Sequence, residues 1–226
     1  NMLRTELFDS FDLDVKVGLL NNGHAPVVNE RHFHFDEELF KMCPDHVDLR
    51  GYFQTEKYFK HIEKEIRSDF TFKDEILNPC KEMIESVENP IALHVRRGDY
   101  IKNAENHFNL PRAYYEAALS KFDANRNVIV FSDDPVWCHD EGTFVDDRFI
   151  ISENEDNRVD LCLMSLCDDF IIANSSYSWW GAWLSTNKDK TVIAPAQWFG
   201  KTGYTKDHNT KDLIPNDWTI INDGQE

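Results

Sequence analysis

Apolar and polar positions are distributed differently in the two parts of this chain. From residue 89 onward, short and nearly continuous apolar runs recur at 91–95, 128–131, 149–151, 170–173 and 191–194. A parallel sheet covered by helices on both faces needs strands of this kind. The segments between the runs carry helical spacing and caps. Pro111 suits the first position of a helix, with Tyr114, Tyr115, Ala118 and Phe122 following at helical intervals. Asp156-Asn157 can cap a helix carrying Leu161, Met164 and Leu166, and Ser175 and Ser176 stand where a cap belongs before Trp179-Trp180-Gly181-Ala182-Trp183-Leu184. This alternation predicts an α/β domain over 89–226, a doubly wound parallel sheet whose ligands bind at the carboxyl ends of its strands. Residues 1–88 differ, being rich in charge and aromatics with one helical stretch around 56–68, and they predict a smaller N-terminal domain.

Charge narrows the range of partners. With 41 acidic and 24 basic residues the formal net charge is −17, which opposes non-specific binding to nucleic acid or anionic membrane. An anionic ligand must therefore be held by a local group of arginines or backbone N–H groups. The five cysteines form no Cys-x-x-Cys pair, so free thiols in a reducing compartment are expected. No run approaches the roughly 20 apolar residues that cross a bilayer. The expectation is a cytoplasmic protein, or a soluble domain of a membrane-associated enzyme.

The candidate chemistry lies at strand ends. His94-Val95-Arg96-Arg97-Gly98-Asp99 leaves the first strand and enters a loop. Two adjacent guanidinium groups there match phosphate oxygens and stay charged, Asp99 could orient one of them, and Gly98 permits the turn. The competing reading is a surface Arg–Asp pair worth at most about 1 kcal/mol. Asn174-Ser175-Ser176-Tyr177-Ser178 follows another strand and opens a helix, where free N–H groups and hydroxyls can receive an anion; an ordinary serine cap is the alternative. Asp160, in the first turn of its helix, can serve the dipole or accept two hydrogen bonds from a guanine edge. Ser132-Asp133-Asp134 ends a strand with an acid pair, a poor cation cage by itself. Trp179, Trp180 and Trp183 are expected to pack in the core. Asp12-Leu13-Asp14 is read as a turn or strand edge, and His32 and His34 as exposed residues.

Taken together, Gly51-Tyr52-Phe53-Gln54-Thr55-Glu56-Lys57-Tyr58-Phe59, residues 94–100, Ser132-Asp133-Asp134, residues 174–184 and Ala194-Pro195 resemble, in order and spacing, the α-1,2-fucosyltransferases of glycosyltransferase family 11. A looser similarity reaches the α-1,6- and nodulation-type fucosyltransferases. The resemblance implies a GT-B-like fold, with a C-terminal Rossmann-type half holding GDP-fucose and an N-terminal half shaping the acceptor site. It implies an inverting transfer of fucose, without metal or cofactor, to a galactose hydroxyl of a glycan in α-1,2 linkage. His94, Arg96, Arg97, Asp133, Asp160, Asn174, Ser175, Ser176 and Ser178 would bind the donor. Arg96 would stabilise the departing β-phosphate, and Asp99, Glu105 and His107 are the candidate bases. Family members begin with a strand and a Gly-Gly-Leu-Gly-Asn-Gln-like loop, whereas the only comparable text here is Gly18-Leu19-Leu20-Asn21-Asn22-Gly23. That difference makes the N-terminal domain an incomplete one by expectation. It keeps open an inactive nucleotide-sugar-binding module, beside a transferase using another GDP-sugar.

Overall fold

The computed structural model describes residues 6–13, 25–140 and 142–222. The chain forms two compact units: Asn1–Thr71 with Asp207–Pro215, and Phe72–Lys206 with Asn216–Glu226. Among the described residues, the first holds helix α1 (Glu6–Ser10), strand β1 (Val27–Asn29), helix α2 (Glu37–Met42), strand β2 (Asp48–Arg50) and helix α3 (Glu63–Asp69), with β1 and β2 paired in parallel. Its helical stretch is interrupted. Two 3₁₀ turns, Glu56–Tyr58 and Lys60–Ile62, precede α3, because Phe59 between them takes φ −134°, ψ −3° and breaks the helical path. Gly18 to Gly23 and Asp14 lie outside the described residues; His32 is exposed as read, while His34 is half-buried and stacks on it at 4.9 Å.

The second unit begins at Phe72 rather than at the change of texture near residue 89, because helix α4 (Asp74–Ile84) packs on a helix of the later sheet domain and Cys80 donates to the Val159 carbonyl there. Then come β3 (Ile91–Val95), α5 (Gly98–Lys102), α6 (Arg112–Leu119), β4 (Val128–Ser132), α7 (Pro135–Asp140), β5 (Phe149–Ile151), α8 (Asn157–Leu166), β6 (Asp169–Ile171), α9 (Ser176–Leu184), β7 (Val192–Pro195) and β8 (Thr219–Ile221). The last strand carries no long apolar run and was not expected. Pro111 stands one place earlier than read: its extended backbone, ψ 161°, makes it the residue before α6 rather than the first within it. Phe122 lies beyond the end of α6 but still packs against the core.

Among the described residues this unit has six strands, all parallel, in the order β5-β4-β3-β6-β7-β8. Because β3 comes first in the sequence, the chain adds β4 and β5 on one side and then crosses back through α8 to add β6, β7 and β8 on the other. This is the doubly wound order, and its crevice opens where β3 and β6 part. Ile91, Leu93, Val95, Val128 and Val130 join Tyr114, Tyr115 and Ala118 of α6 in one core. The alternate residues Ala92, His94, Ile129 and Phe131 point the other way and are buried too. Sandwiching of both faces is why these strands read as unbroken apolar runs. Trp179 and Trp183 are buried, with their rings stacked 6.3 Å apart, so the core reading of the tryptophans holds for these two; Trp180 is half-buried beside them. All five cysteines are free thiols.

Candidate nucleotide-sugar site

The mouth at the carboxyl ends of β3 and β6 is built from three stretches of chain. After β3 the backbone turns at Arg96 and Arg97 into the short α5. Arg97 N donates to Asp133 Oδ1 at 2.8 Å, and a side chain on Gly98 would stand 2.5 Å from Asp133 Oδ2, so any larger residue would push that carboxylate aside. Arg96 donates to Asp99 Oδ1 at 2.7 Å and lies 3.2 Å from Asp133 Oδ2, with its guanidinium 5.4 Å from the Tyr100 ring centre. Arg97 meets Asp134 Oδ2 at 3.2 Å and sits over Trp137 at 4.1 Å. Asp134 is fixed in turn, accepting from Trp137 N, while its own N–H donates to Ser132 Oγ.

Beyond β6, Asn174 is buried and bridges two loops, donating to the Phe108 carbonyl at 2.8 Å and the Trp198 carbonyl at 2.7 Å. Ser175 caps α9 by accepting from Tyr177 N, Ser178 is fully buried against the carbonyls of Ala173 and Ser175, and Ser176 is exposed. Tyr100 joins the two sides of the mouth, its hydroxyl donating to the Asn174 carbonyl at 2.9 Å. His107 stacks on the Tyr100 ring at 4.1 Å.

His94 Nδ1, Arg96 Nε and Asn174 Oδ1 are among the buried polar atoms without a hydrogen-bond partner. Each costs about 1–3 kcal/mol if left so, and they lie in the strand, loop and helix entry that form this end of the sheet.

The Asp160 carboxylate lies on a third side, where it accepts from Ser152 Oγ at 2.6 Å and Asn154 Nδ2 at 2.9 Å just past β5; burial pushes its pKa up against those two bonds. Its orientation therefore comes from β5 as well as from its helix. Tyr177 stands between the two ends of the mouth. Its hydroxyl donates to the Asn157 carbonyl, its ring lies 5.5 Å from His94, and burial raises its pKa, with Asp160 adding and Arg96 opposing.

Arg96, Arg97, Asp99 and Asp133 thus form one cluster of ion pairs and hydrogen bonds that Tyr100 links to Asn174, while His94 meets the site through the Tyr177 ring and Ser175 and Ser178 bond within the entry of α9. Glu105 is exposed and engages the structure through its carbonyl, which accepts from Gly203 N at 2.7 Å. Among the described residues no three or more His, Cys, Asp or Glu side chains are grouped to hold a metal ion. Residue-by-residue reading passed over Tyr100, Tyr177, Ser152 and Asn154. Tyrosine placed just after a strand-end arginine pair is the signal that could have found the first.

Burial, reinforced by Arg96, lowers the pKa of His94 from 6.5 to about 3. The native state keeps this ring neutral while the unfolded chain protonates it near 6.5, so the unfolded state binds more protons between these values. Stability from His94 is full above pH 6.5 and falls as pH drops toward 3, by up to about 1.4 kcal/mol per pH unit. Urea unfolding from pH 7 to pH 4 is expected to show a shallower decline for His94→Gln than for the unsubstituted chain; parallel curves would mean that the imidazole protonates in place.

The family model described as Glycosyl transferase family 11 matches residues 24–222. The chain is 38% identical over 174 residues to "O-antigen biosynthesis glycosyltransferase WbnK" of Escherichia coli, covering 70% of this chain and 57% of that protein. It is 34% identical over 188 residues to an "Alpha-1,2-colitosyltransferase" of Escherichia coli, covering 77% and 62%. "Galactoside 2-alpha-L-fucosyltransferase Sec1" of Mus musculus is 25% identical over 200 residues, covering 80% and 54%. The chain therefore spans little more than half the length of these relatives. Among solved structures, one of POFUT1 in complex with GDP aligns at 11% identity with a TM-score of 0.49, over 69% of this chain and 56% of that one, too loosely to carry an inference.

Proposed function

The chain belongs to glycosyl transferase family 11, and from that membership and the geometry of its mouth we propose that it takes fucose from GDP-fucose and transfers it, with inversion and without a metal, to a galactose hydroxyl of a glycan in α-1,2 linkage. The observation that carries the reading is that Arg96, at the carboxyl end of β3, lies 5.4 Å from the Tyr100 ring, whose hydroxyl bonds the Asn174 carbonyl just before α9, so that the arginine and the helix start border one mouth.

As the bond between fucose C1 and the β-phosphate oxygen breaks, negative charge grows on the leaving GDP. Arg96 and the N–H groups opening α9 are suited to stabilise it. The Arg96–Asp99 pair does not forbid this, since Asp99 is 65% exposed and such pairs contribute at most about 1 kcal/mol. A diphosphate can displace that carboxylate while Asp133 keeps the guanidinium in place. On this reading Asp160 accepts from the guanine edge, and Ser175, Ser176 and Ser178 border the phosphates.

Of the three candidate bases, His107 is favoured. Glu105 is exposed and Asp99 comes free only once a diphosphate has displaced it from Arg96, whereas His107 is half-buried on the Tyr100 ring, with its pKa lowered by burial, Asp99 opposing and Arg96 assisting.

Titration calorimetry with GDP and GDP-fucose in EDTA, followed by turnover with galactosides, tests the reading. Binding with α-1,2 transfer is expected. Binding alone would favour the non-catalytic module, and a chain that ignores GDP would remove the donor site altogether. The likeness to an α-1,2-colitosyltransferase supports a second reading, a donor carrying another deoxy sugar. Competition between donor sugars separates the two.

A further inference from the structure

Within the N-terminal unit, residues 30–34, 51–52 and 207–209 enclose a cavity of about 480 Å³ that the donor chemistry does not use. One wall is aromatic. Phe33 is buried and its ring stacks on His208 at 4.9 Å with 3° between planes; the Tyr52 ring lies 6.0 Å from Phe33 and 6.2 Å from His208 and keeps 57% of its surface exposed. His32, His34 and Asp207 supply polar lining.

The wall is also rigidly placed. Glu30 accepts from Tyr52 N at 2.7 Å and Phe53 N at 3.1 Å. Gly51 passes so close that a side chain there would meet Glu30 Cβ at 2.3 Å, and Phe53 takes φ 48°, a left-handed conformation held by this bracket. The Tyr52 ring is thereby presented from a fixed backbone.

Charge selects the ligand class. The lining arginine, Arg31, is already held by Asp36 and Glu38, and Glu30 and Asp207 contribute negative charge. A phosphorylated compound would be repelled here. An uncharged ring with one apolar face and many hydroxyls fits: C–H groups pack on an aromatic face, and carboxylate and imidazole take the hydroxyl hydrogen bonds. We propose that this cavity is a carbohydrate subsite that receives a pyranose of the galactose-terminated acceptor, stacked on Tyr52 with its hydroxyls on His32, His34 and Asp207. The assignment of the sugar as acceptor rests on the transferase reading above.

The experiment pairs saturation-transfer NMR, using lactose and N-acetyllactosamine as probes, with GDP calorimetry on the same samples. Tyr52→Ala is expected to weaken both disaccharides and raise the acceptor KM by roughly three- to tenfold, with GDP affinity within twofold of the unsubstituted chain. Tyr52→Phe, which keeps the stacking face, should restore both. Absence of saturation transfer in the unsubstituted chain, or an alanine variant that binds the sugars unchanged, would overturn the subsite. So would an equal loss of GDP affinity, which marks general damage. Sugar binding by a chain that fails to bind GDP would instead leave the subsite standing and remove the donor reading.

Discussion

Replacing Arg96 by alanine is expected to lower transfer by roughly a hundred- to a thousandfold while leaving the protein folded. The size follows from where its charge acts. An interaction that strengthens as GDP departs lowers the barrier itself, so its loss appears in kcat as well as in donor affinity. The fold should survive, because Arg96 lies in the loop after β3, its side chain is 31% exposed, and Asp133 keeps a second partner in Arg97 N. Arg96→Lys should recover little, since an ammonium cannot reproduce a planar fork directed at two oxygens. Steady-state kinetics with GDP-fucose, with near-ultraviolet circular dichroism as the check on folding, decides the matter. A variant that keeps its kcat would show the negative charge being met elsewhere.

Asn174→Ala should cost about 3 kcal/mol of stability and distort the mouth as well. Removing the amide strands the Phe108 and Trp198 carbonyls together, and each buried acceptor left unpaired costs about 1–3 kcal/mol. Asn174→Asp should be at least as damaging, because a carboxylate offers the two carbonyls no donor. Denaturant unfolding measures the first effect, and GDP affinity under conditions where the variant is still folded measures the second. Should the alanine variant prove as stable as the unsubstituted chain, Asn174 would not be the clamp that the geometry describes.

Legibility varied with how local the cause was. Five of the six strands of the second unit were visible because burial on both faces imposes apolar side chains at every position, as with Ile91–Val95. The caps at Asp156 and Ser175 were legible because a side-chain oxygen next to a free N–H is a local event. Strand β8 was not: Thr219 and Ile220 are exposed, and its pairing with β7 is set by the chain's return rather than by its own composition. The helical pattern over 56–68 broke at Phe59, where spacing alone gives no warning. Helix α4 was assigned by texture to the wrong side of the boundary, since its partner α8 lies some eighty residues away.

For the site, sequence by itself determined the chemical types: two arginines after a strand, a serine-rich helix start after another, and an excess of acid that makes any anion site local. It also carried the family resemblance, because order and spacing are properties of the chain. Tertiary structure alone decided which of these groups meet. Parallel pairing on both sides of β3 brings Arg96 near Asn174 through Tyr100, ties Arg97 to the Asp133-Asp134 corner, and leaves His94, Arg96 and Asn174 each with an unsatisfied atom. The physical reason is that the hydrogen bonds and ion pairs of the mouth are contacts of about 3 Å between residues as many as 74 positions apart, and only strand order sets those distances.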